Sequence, residues 1–121
     1  MEKAVVAALE DIKARDIVVL KVAHLSPLFE RIVIASADST RQVKALADNV
    51  QRKLKYLGGQ VLSVEGEQTG EWVLVDLGAI VVHVMQPTIR HYYNLEELWD
   101  QPAPKRPRAR KKPAHASLAA R

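Results

Sequence analysis

The chain contains no cysteine, few aromatic residues and no long apolar run, and each absence excludes a class of protein. Without cysteine there can be no disulfide framework and no thiol chemistry. No apolar stretch approaches the ~20 residues that a membrane-spanning helix needs, and the amino terminus lacks the pattern of a signal peptide. Aromatic residues make up 5% and hydrophobic residues 48% of the sequence, so aliphatic side chains must fill the core. We therefore expect a soluble cytoplasmic protein.

Acidic residues are missing from the end of the chain, which divides it into two parts of opposite charge. Residues 1–101 contain 11 Lys and Arg and all 14 Asp and Glu, whereas residues 102–121 contain 7 Lys and Arg and no acid. The second part is also rich in proline, which disfavours a long helix, and its like charges disfavour collapse. We expect one domain over residues 1–100 and a basic, disordered tail over residues 101–121.

Hydrophobic periodicity in residues 1–100 predicts the element order α-β-β-α-β-β-β-α. The helical pattern of the second helix begins at Thr40, after a polar break, and Gly58-Gly59 ends it. Around Asp76-Leu77-Gly78 two β-branched runs predict a hairpin. Five strands and three helices indicate an α/β or α+β fold in which helices cover a mixed sheet. The predicted helices span 5–16, 40–57 and 89–99, and the predicted strands span 17–22, 31–35, 60–64, 72–76 and 79–85.

The motifs of common catalytic sites are missing. There is no glycine-rich phosphate loop and no serine in a nucleophile elbow. The four histidines, His24, His83, His91 and His115, lack the ligand spacing of a metal site. Within a strand, His83 is more typical of a structural histidine than of a catalyst. Glu65-Gly66-Glu67 has no basic companion and is best interpreted as an exposed acidic turn.

Trp72 is the residue that best fits a binding role. In the predicted strand 72–76, Trp72 and Asp76 share one face and valines occupy the other. Because Asp76 makes its face the less apolar one, Trp72 is predicted to point outward, with Leu77 and Met85 extending the patch. Exposed Trp, Leu and Met side chains are typical anchors of protein–protein contacts. Core packing of Trp72 and a turn-forming role for Asp76 remain open alternatives.

Most of the predicted domain resembles the ribosomal silencing factor, or Iojap-like, family. The resemblance is collinear over residues 4–100 and no single motif carries it. The matching stretches are 8–20, 33–35, 41–48, 64–66, 72–78, 81–85 and 93–99. The sequence departs from the family pattern at Phe29-Glu30-Arg31, at Ala37-Asp38 and at Ala79.

The resemblance implies a nucleotidyltransferase-like fold without an enzymatic reaction and without a cofactor. It further implies binding to the large ribosomal subunit through its ribosomal protein fourteen, where a bound factor blocks joining of the small subunit. The chain lacks the Gly-Ser loop and the Asp-x-Asp metal pair of an active nucleotidyltransferase. The alternative is a degenerate relative of those enzymes that still binds a nucleotide.

The resemblance also carries over specific residues. Those predicted to bind the partner are Trp72, Asp76, Leu77, His83, Met85 and Tyr93. The basic tail lies outside the resemblance. From their charge, the tail cations Lys105, Arg106, Arg108, Arg110, Lys111 and Lys112 are predicted to contact ribosomal RNA, with an unbound solubilising tail as the alternative. An outward apolar patch on the sheet would also favour a homodimer when no ribosome is bound.

Overall fold

A computed structural model describes residues 1–99, apart from the side chain of Trp99. Within this range the chain forms four helices and five strands. The helices are α1 (Glu2–Asp11), α2 (Thr40–Tyr56), α3 (Pro87–Tyr93) and α4 (Leu95–Trp99). The strands are β1 (Arg15–Lys21), β2 (Arg31–Ser36), β3 (Ser63–Glu65), β4 (Trp72–Asp76) and β5 (Ile80–Met85).

Local sequence signals explain where the longest helix begins and ends. Ser39 is the N-cap of α2, and its side chain accepts a hydrogen bond from the backbone N–H of Gln42 at 3.1 Å. At the other end Gly58 adopts a φ of +87°, a left-handed conformation that glycine tolerates best. Between these signals the apolar side chains recur every three or four residues and are buried on one side of the helix.

The five strands form one mixed sheet in the order β1-β2-β5-β4-β3. Strand β5 lies in the middle of the sheet, parallel to β2 and antiparallel to β4. The other two pairs, β1 with β2 and β3 with β4, are antiparallel. All six residues of β5 are buried, as expected for a central strand with both faces covered.

Each face of the sheet supports its own hydrophobic cluster. Helices α1 and α2 cover one face, where Leu9 and Leu46 pack on the buried valines Val73 and Val75 of β4. On the opposite face a smaller cluster contains Ile34 and Met85. Parts of the β1–β2 loop and of α3 and α4 pack against this second cluster, and so does Trp72. The two faces therefore differ, since one lies under two helices and the other is only partly covered.

The predicted fold class is confirmed: helices flank a five-stranded mixed sheet, and the first two strands pair as predicted. Three elements differ from the sequence-based expectation. The first helix ends at Asp11, so that Arg15 and Asp16 already belong to β1, and the third strand, predicted over 60–64, covers Ser63–Glu65. The helix predicted over 89–99 begins at Pro87 and divides at Asn94, whose φ of 48° and ψ of 54° place it in the left-handed region. Across the described residues 1–99, no helix combines the length and hydrophobicity that crossing a membrane requires.

Candidate functional site

Trp72 begins β4 and lies on the less covered face of the sheet. Its neighbours Val73 and Val75 point to the opposite face and are fully buried, whereas Trp72, Leu74 and Asp76 are partly exposed. This alternation confirms the predicted separation of the two strand faces. Trp72 nevertheless packs against the second cluster beside Met85. The sequence left open whether Trp72 is exposed to a partner or packed in the core. In the structure its side chain is partly exposed and partly packed against the second cluster.

Two tyrosines of α3 extend the aromatic surface around Trp72. The ring centroids of Trp72 and Tyr93 are 4.9 Å apart with an interplanar angle of 48°. Tyr92 meets Tyr93 edge to face at 5.0 Å. Tyr93 is 52% exposed and Tyr92 76% exposed, so both present ring surface to solvent. We call the surface formed by Trp72, Leu74, Tyr92 and Tyr93 the aromatic face.

His83 of β5 pairs with Leu74 across the sheet and contacts Trp72. It is 8% exposed, and its Nδ1 accepts a hydrogen bond from the Trp72 Nε1–H at 2.9 Å. The bond gives the indole its hydrogen-bond partner within the protein, so a bound molecule would meet the ring and not the N–H. His83 therefore lies in the predicted site but acts through Trp72, which agrees with a structural role for a strand histidine.

Carboxylates border the aromatic face. Asp76 lies on the same side of β4 as Trp72, and Glu65 of β3 pairs with Leu74 across the sheet. Asp76 Oδ1 also accepts the backbone N–H of Gly78 at 2.9 Å, the predicted turn chemistry. From Leu57 to Trp99 the sequence contains six acidic residues and one cation, Arg90. Glu65 and Asp76 thus place two carboxylates beside Leu74, at one end of the aromatic face.

Leu77 and Met85 do not extend the exposed patch, and that prediction is wrong. Met85 is completely buried because it lies on the central strand, directly opposite Trp72 in the antiparallel register. Leu77 is 5% exposed and belongs to the cluster under α1 and α2, on the other side of the sheet. Leu74 and Tyr92 take their place at the surface. Strand alternation predicts Leu74 on the same face as Trp72. Helical periodicity over 89–99 predicts Tyr92 on the buried apolar stripe of that helix, which is wrong, because Tyr92 is 76% exposed.

Arg90 connects the aromatic face to the rest of the domain. Its guanidinium forms two hydrogen bonds with the Glu96 carboxylate, at 3.0 and 2.9 Å, and its side chain is only 11% exposed. The same group donates to the Asp16 carbonyl and the Ser36 hydroxyl, each at 2.7 Å. Arg90 thereby ties α3 to α4, β1 and β2. Sequence reasoning missed it, although it is the sole cation from residue 57 to residue 99.

The Arg90–Glu96 pair should make stability depend on pH. Hydrogen bonds from Arg90 hold the pKa of the Glu96 carboxyl below its ordinary value, more than burial raises it. Because the folded pKa is the lower one, the stabilisation is fully present above the unfolded pKa and is lost as pH falls through the folded pKa. Glu96→Gln should be less stable than wild type at pH 7, with a smaller difference at about pH 3.

Urea unfolding of both proteins at the two pH values checks this prediction. Glu10→Gln is the matched control, since Glu10 is exposed and has no ion pair among the described residues. A Glu96→Gln difference from wild type that stays constant with pH would contradict the assignment.

The described residues were also compared with the needs of a metal site. Among residues 1–99 no group of three or more His, Asp or Glu side chains is placed to hold a metal ion. The acidic turn Glu65-Gly66-Glu67 is exposed, as predicted. The six tail cations of residues 105–112, which were predicted to contact RNA, lie outside the described residues.

Comparison with known proteins identifies the family of the chain. A family model described as "Ribosomal silencing factor during starvation" matches residues 1–121. The chain is 52% identical over 99 residues to a ribosomal silencing factor of Chromobacterium violaceum, covering 82% of this chain and 81% of that one. A crystal structure of a protein from the same organism is 49% identical with a TM-score of 0.81, covering 93% and 94% of the two chains.

A more distant relative is the mouse "Mitochondrial assembly of ribosomal large subunit protein 1". It is 34% identical over 97 residues, which cover 78% of this chain and 42% of the mouse protein. The resemblance predicted from the sequence is thus confirmed by both sequence and structure. The chain belongs to the ribosomal silencing factor family.

Proposed function

We propose that this protein represses translation by binding the large ribosomal subunit at its subunit-joining face and blocking association with the small subunit. The observation that carries the proposal is the aromatic face, in which a partly exposed Trp72 packs against the tilted ring of Tyr93 beside Leu74. Aromatic side chains of this kind dominate the binding energy of protein interfaces. Family membership supports the ribosome as the partner.

The charge around the aromatic face favours a protein partner at this point. Glu65 pairs with Leu74, and Asp76 lies two residues further along the same side of β4, so phosphate groups would be repelled at this end of the face. A basic protein surface would be attracted and would place Lys or Arg opposite Asp76. Ribosomal protein fourteen of the large subunit is the partner that we propose for this face.

The mechanism requires affinity and bulk but no catalytic group. A folded domain attached at the contact surface of one subunit occupies the volume that the other subunit needs. Tight binding at one face is then sufficient, and no cofactor or nucleotide is consumed.

Sedimentation with purified subunits tests the proposal. We expect the wild-type protein to pellet with large subunits and not with small subunits. Added to large subunits first, it should lower the light-scattering signal of subunit joining in proportion to its occupancy, whereas preformed ribosomes should resist it. Equal pelleting with both subunits, or binding without an effect on joining, would overturn the steric mechanism.

The predicted homodimer fits the same face. Two copies that paired through Trp72 would hide it from the ribosome, so dimerisation and large-subunit binding should compete. Analytical ultracentrifugation of the Trp72→Ala protein checks this, because a dimer as stable as that of wild type would exclude Trp72 from the dimer contact.

A further inference from the structure

A row of charged residues runs along the solvent side of α2, away from the aromatic face. Its members recur at helical spacings of three and four residues, so they share one side of the helix. They are Arg41, Lys44, Asp48, Arg52 and Lys55, which we call the α2 stripe. All five are exposed, and from end to end they span about 21 Å of helix at 1.5 Å per residue.

Three cations of the stripe have no carboxylate partner in the structure. Arg52 pairs with Asp48 at 3.1 Å, and the neighbouring Lys53 pairs with Asp11 of α1 at 3.6 Å. Among residues 1–99, Arg41, Lys44 and Lys55 take part in no ion pair. Folding therefore leaves these three charges available to an external anion.

The stripe is also a local exception in an acidic domain. Residues 1–99 contain 11 Lys and Arg against 13 Asp and Glu, whereas the stripe alone holds four cations and one anion. Helix α2 packs on the sheet face opposite Trp72, because its apolar side contacts the cluster that contains Val73 and Val75. Positive charge thus lies on one side of the molecule and the acidic aromatic face on the other.

We propose that the α2 stripe binds the phosphate backbone of double-stranded RNA. A straight row of cations on a rigid helix matches a regular row of phosphates, and such contacts read the shape of an RNA duplex without reading its sequence. Glu65 and Asp76 beside the aromatic face repel the same backbone, so the two faces orient the molecule with α2 toward RNA and Trp72 toward protein. The inference concerns a surface other than the aromatic face and stands independently of subunit joining.

The test is binding of a fluorescein-labelled RNA duplex of about 16 base pairs, the length that double-stranded-RNA-binding domains span. The full chain is used, with the six cations of residues 105–112 changed to glutamine so that they contribute no charge. In this background the stripe variant is Arg41→Gln/Lys44→Gln/Lys55→Gln. The control variant is Lys3→Gln/Lys13→Gln/Lys21→Gln, which removes three exposed cations from other places.

We expect the stripe variant to bind the RNA duplex on the order of 10- to 100-fold more weakly than the control variant at low salt. We also expect a weaker salt dependence. The slope of log association constant against log salt concentration, between about 50 and 200 mM, should be smaller in magnitude by about two to three for the stripe variant, which corresponds to the loss of three phosphate contacts. Circular dichroism verifies that both variants are folded. Equal affinity and equal salt slopes for the two variants would overturn the inference, whatever the outcome of the subunit-joining assay.

Discussion

Replacing Trp72 with alanine should weaken binding to large ribosomal subunits by about 30- to 1,000-fold. This corresponds to about 2–4 kcal/mol, the range of an aromatic hot spot. The loss should be large because one side of the indole packs on the protein while the rest is partly exposed to a partner. A rigid, partly immobilised ring loses little conformational entropy on binding. Sedimentation with a titration of large subunits measures the change.

Stability must be separated from binding in this experiment, since Trp72 packs beside Met85 and donates a hydrogen bond to His83. Trp72→Phe retains an aromatic ring but removes the donor, so its binding should lie between wild type and alanine. Leu74→Gln changes the same surface at a side chain that belongs to neither hydrophobic cluster. If folded Trp72→Ala and Leu74→Gln proteins both bind as wild type, the aromatic face is not the ribosome contact.

Tyr56→Ala is the matched control for Trp72→Ala. Tyr56 is 87% exposed at the end of α2, on the side of the sheet opposite Trp72. Its removal deletes an exposed aromatic ring of similar kind and should change large-subunit binding by less than about twofold. A comparable loss in both variants would indicate nonspecific adhesion of aromatic surfaces.

Gly66→Ala should cause the largest backbone rearrangement near the site. Gly66 has a φ of +90°, and a Cβ added there would lie 2.1 Å from the carbonyl oxygen of Trp72. The added Cβ is bonded directly to the backbone and the carbonyl oxygen of Trp72 is part of it, so no side-chain rotation can relieve the overlap. The β3–β4 connection must therefore shift and displace the start of β4. We expect a loss of about 1–3 kcal/mol from the overlap, in addition to about 1–2 kcal/mol from the left-handed backbone.

Gly58→Ala measures the cost of the left-handed backbone without the atomic overlap. Gly58 has a φ of +87°, close to that of Gly66, but an added Cβ would meet no atom within 4 Å. Urea unfolding of the two variants should therefore differ by the overlap energy alone. Gly66→Ala should also weaken large-subunit binding, whereas Gly58→Ala should not. Equal stabilities would mean that the β3–β4 connection accommodates the extra atom.

Local patterns were sufficient to predict most elements of the fold. Helix α2 follows from its amphipathic spacing and from Ser39 and Gly58, and β4 follows from strict alternation around Trp72. These signals depend on neighbouring residues only. The break at Asn94 was not predictable in the same way, because a left-handed residue in a helical pattern depends on what α3 and α4 pack against.

The errors at the site have a non-local origin. The local sequence predicts Met85 as an exposed strand residue. It is buried because β5 lies between β2 and β4 and both faces of β5 are covered. The sequence predicts that Leu77 extends the Trp72 patch, but the turn after β4 places it in the cluster under α1 and α2. The role of Arg90 likewise depends on contacts with Asp16 and Ser36, more than 50 residues away in sequence. Pairing between distant segments decides all three, and no single window of the sequence contains that information.

The central position of β5 also bears on how the chain reaches its native state. The hairpin of β1 and β2 can form from neighbouring segments. Pairing of β2 with β5 joins distant segments, since Arg31 of β2 pairs with Ile80 of β5. Closing such a long loop is slow in comparison with helix formation. Until β5 inserts, β2 and β4 each expose an unpaired edge that invites association with other strands. The transition state for folding should therefore contain the β2–β5 pair, and the aromatic face should acquire its shape only at the end of folding.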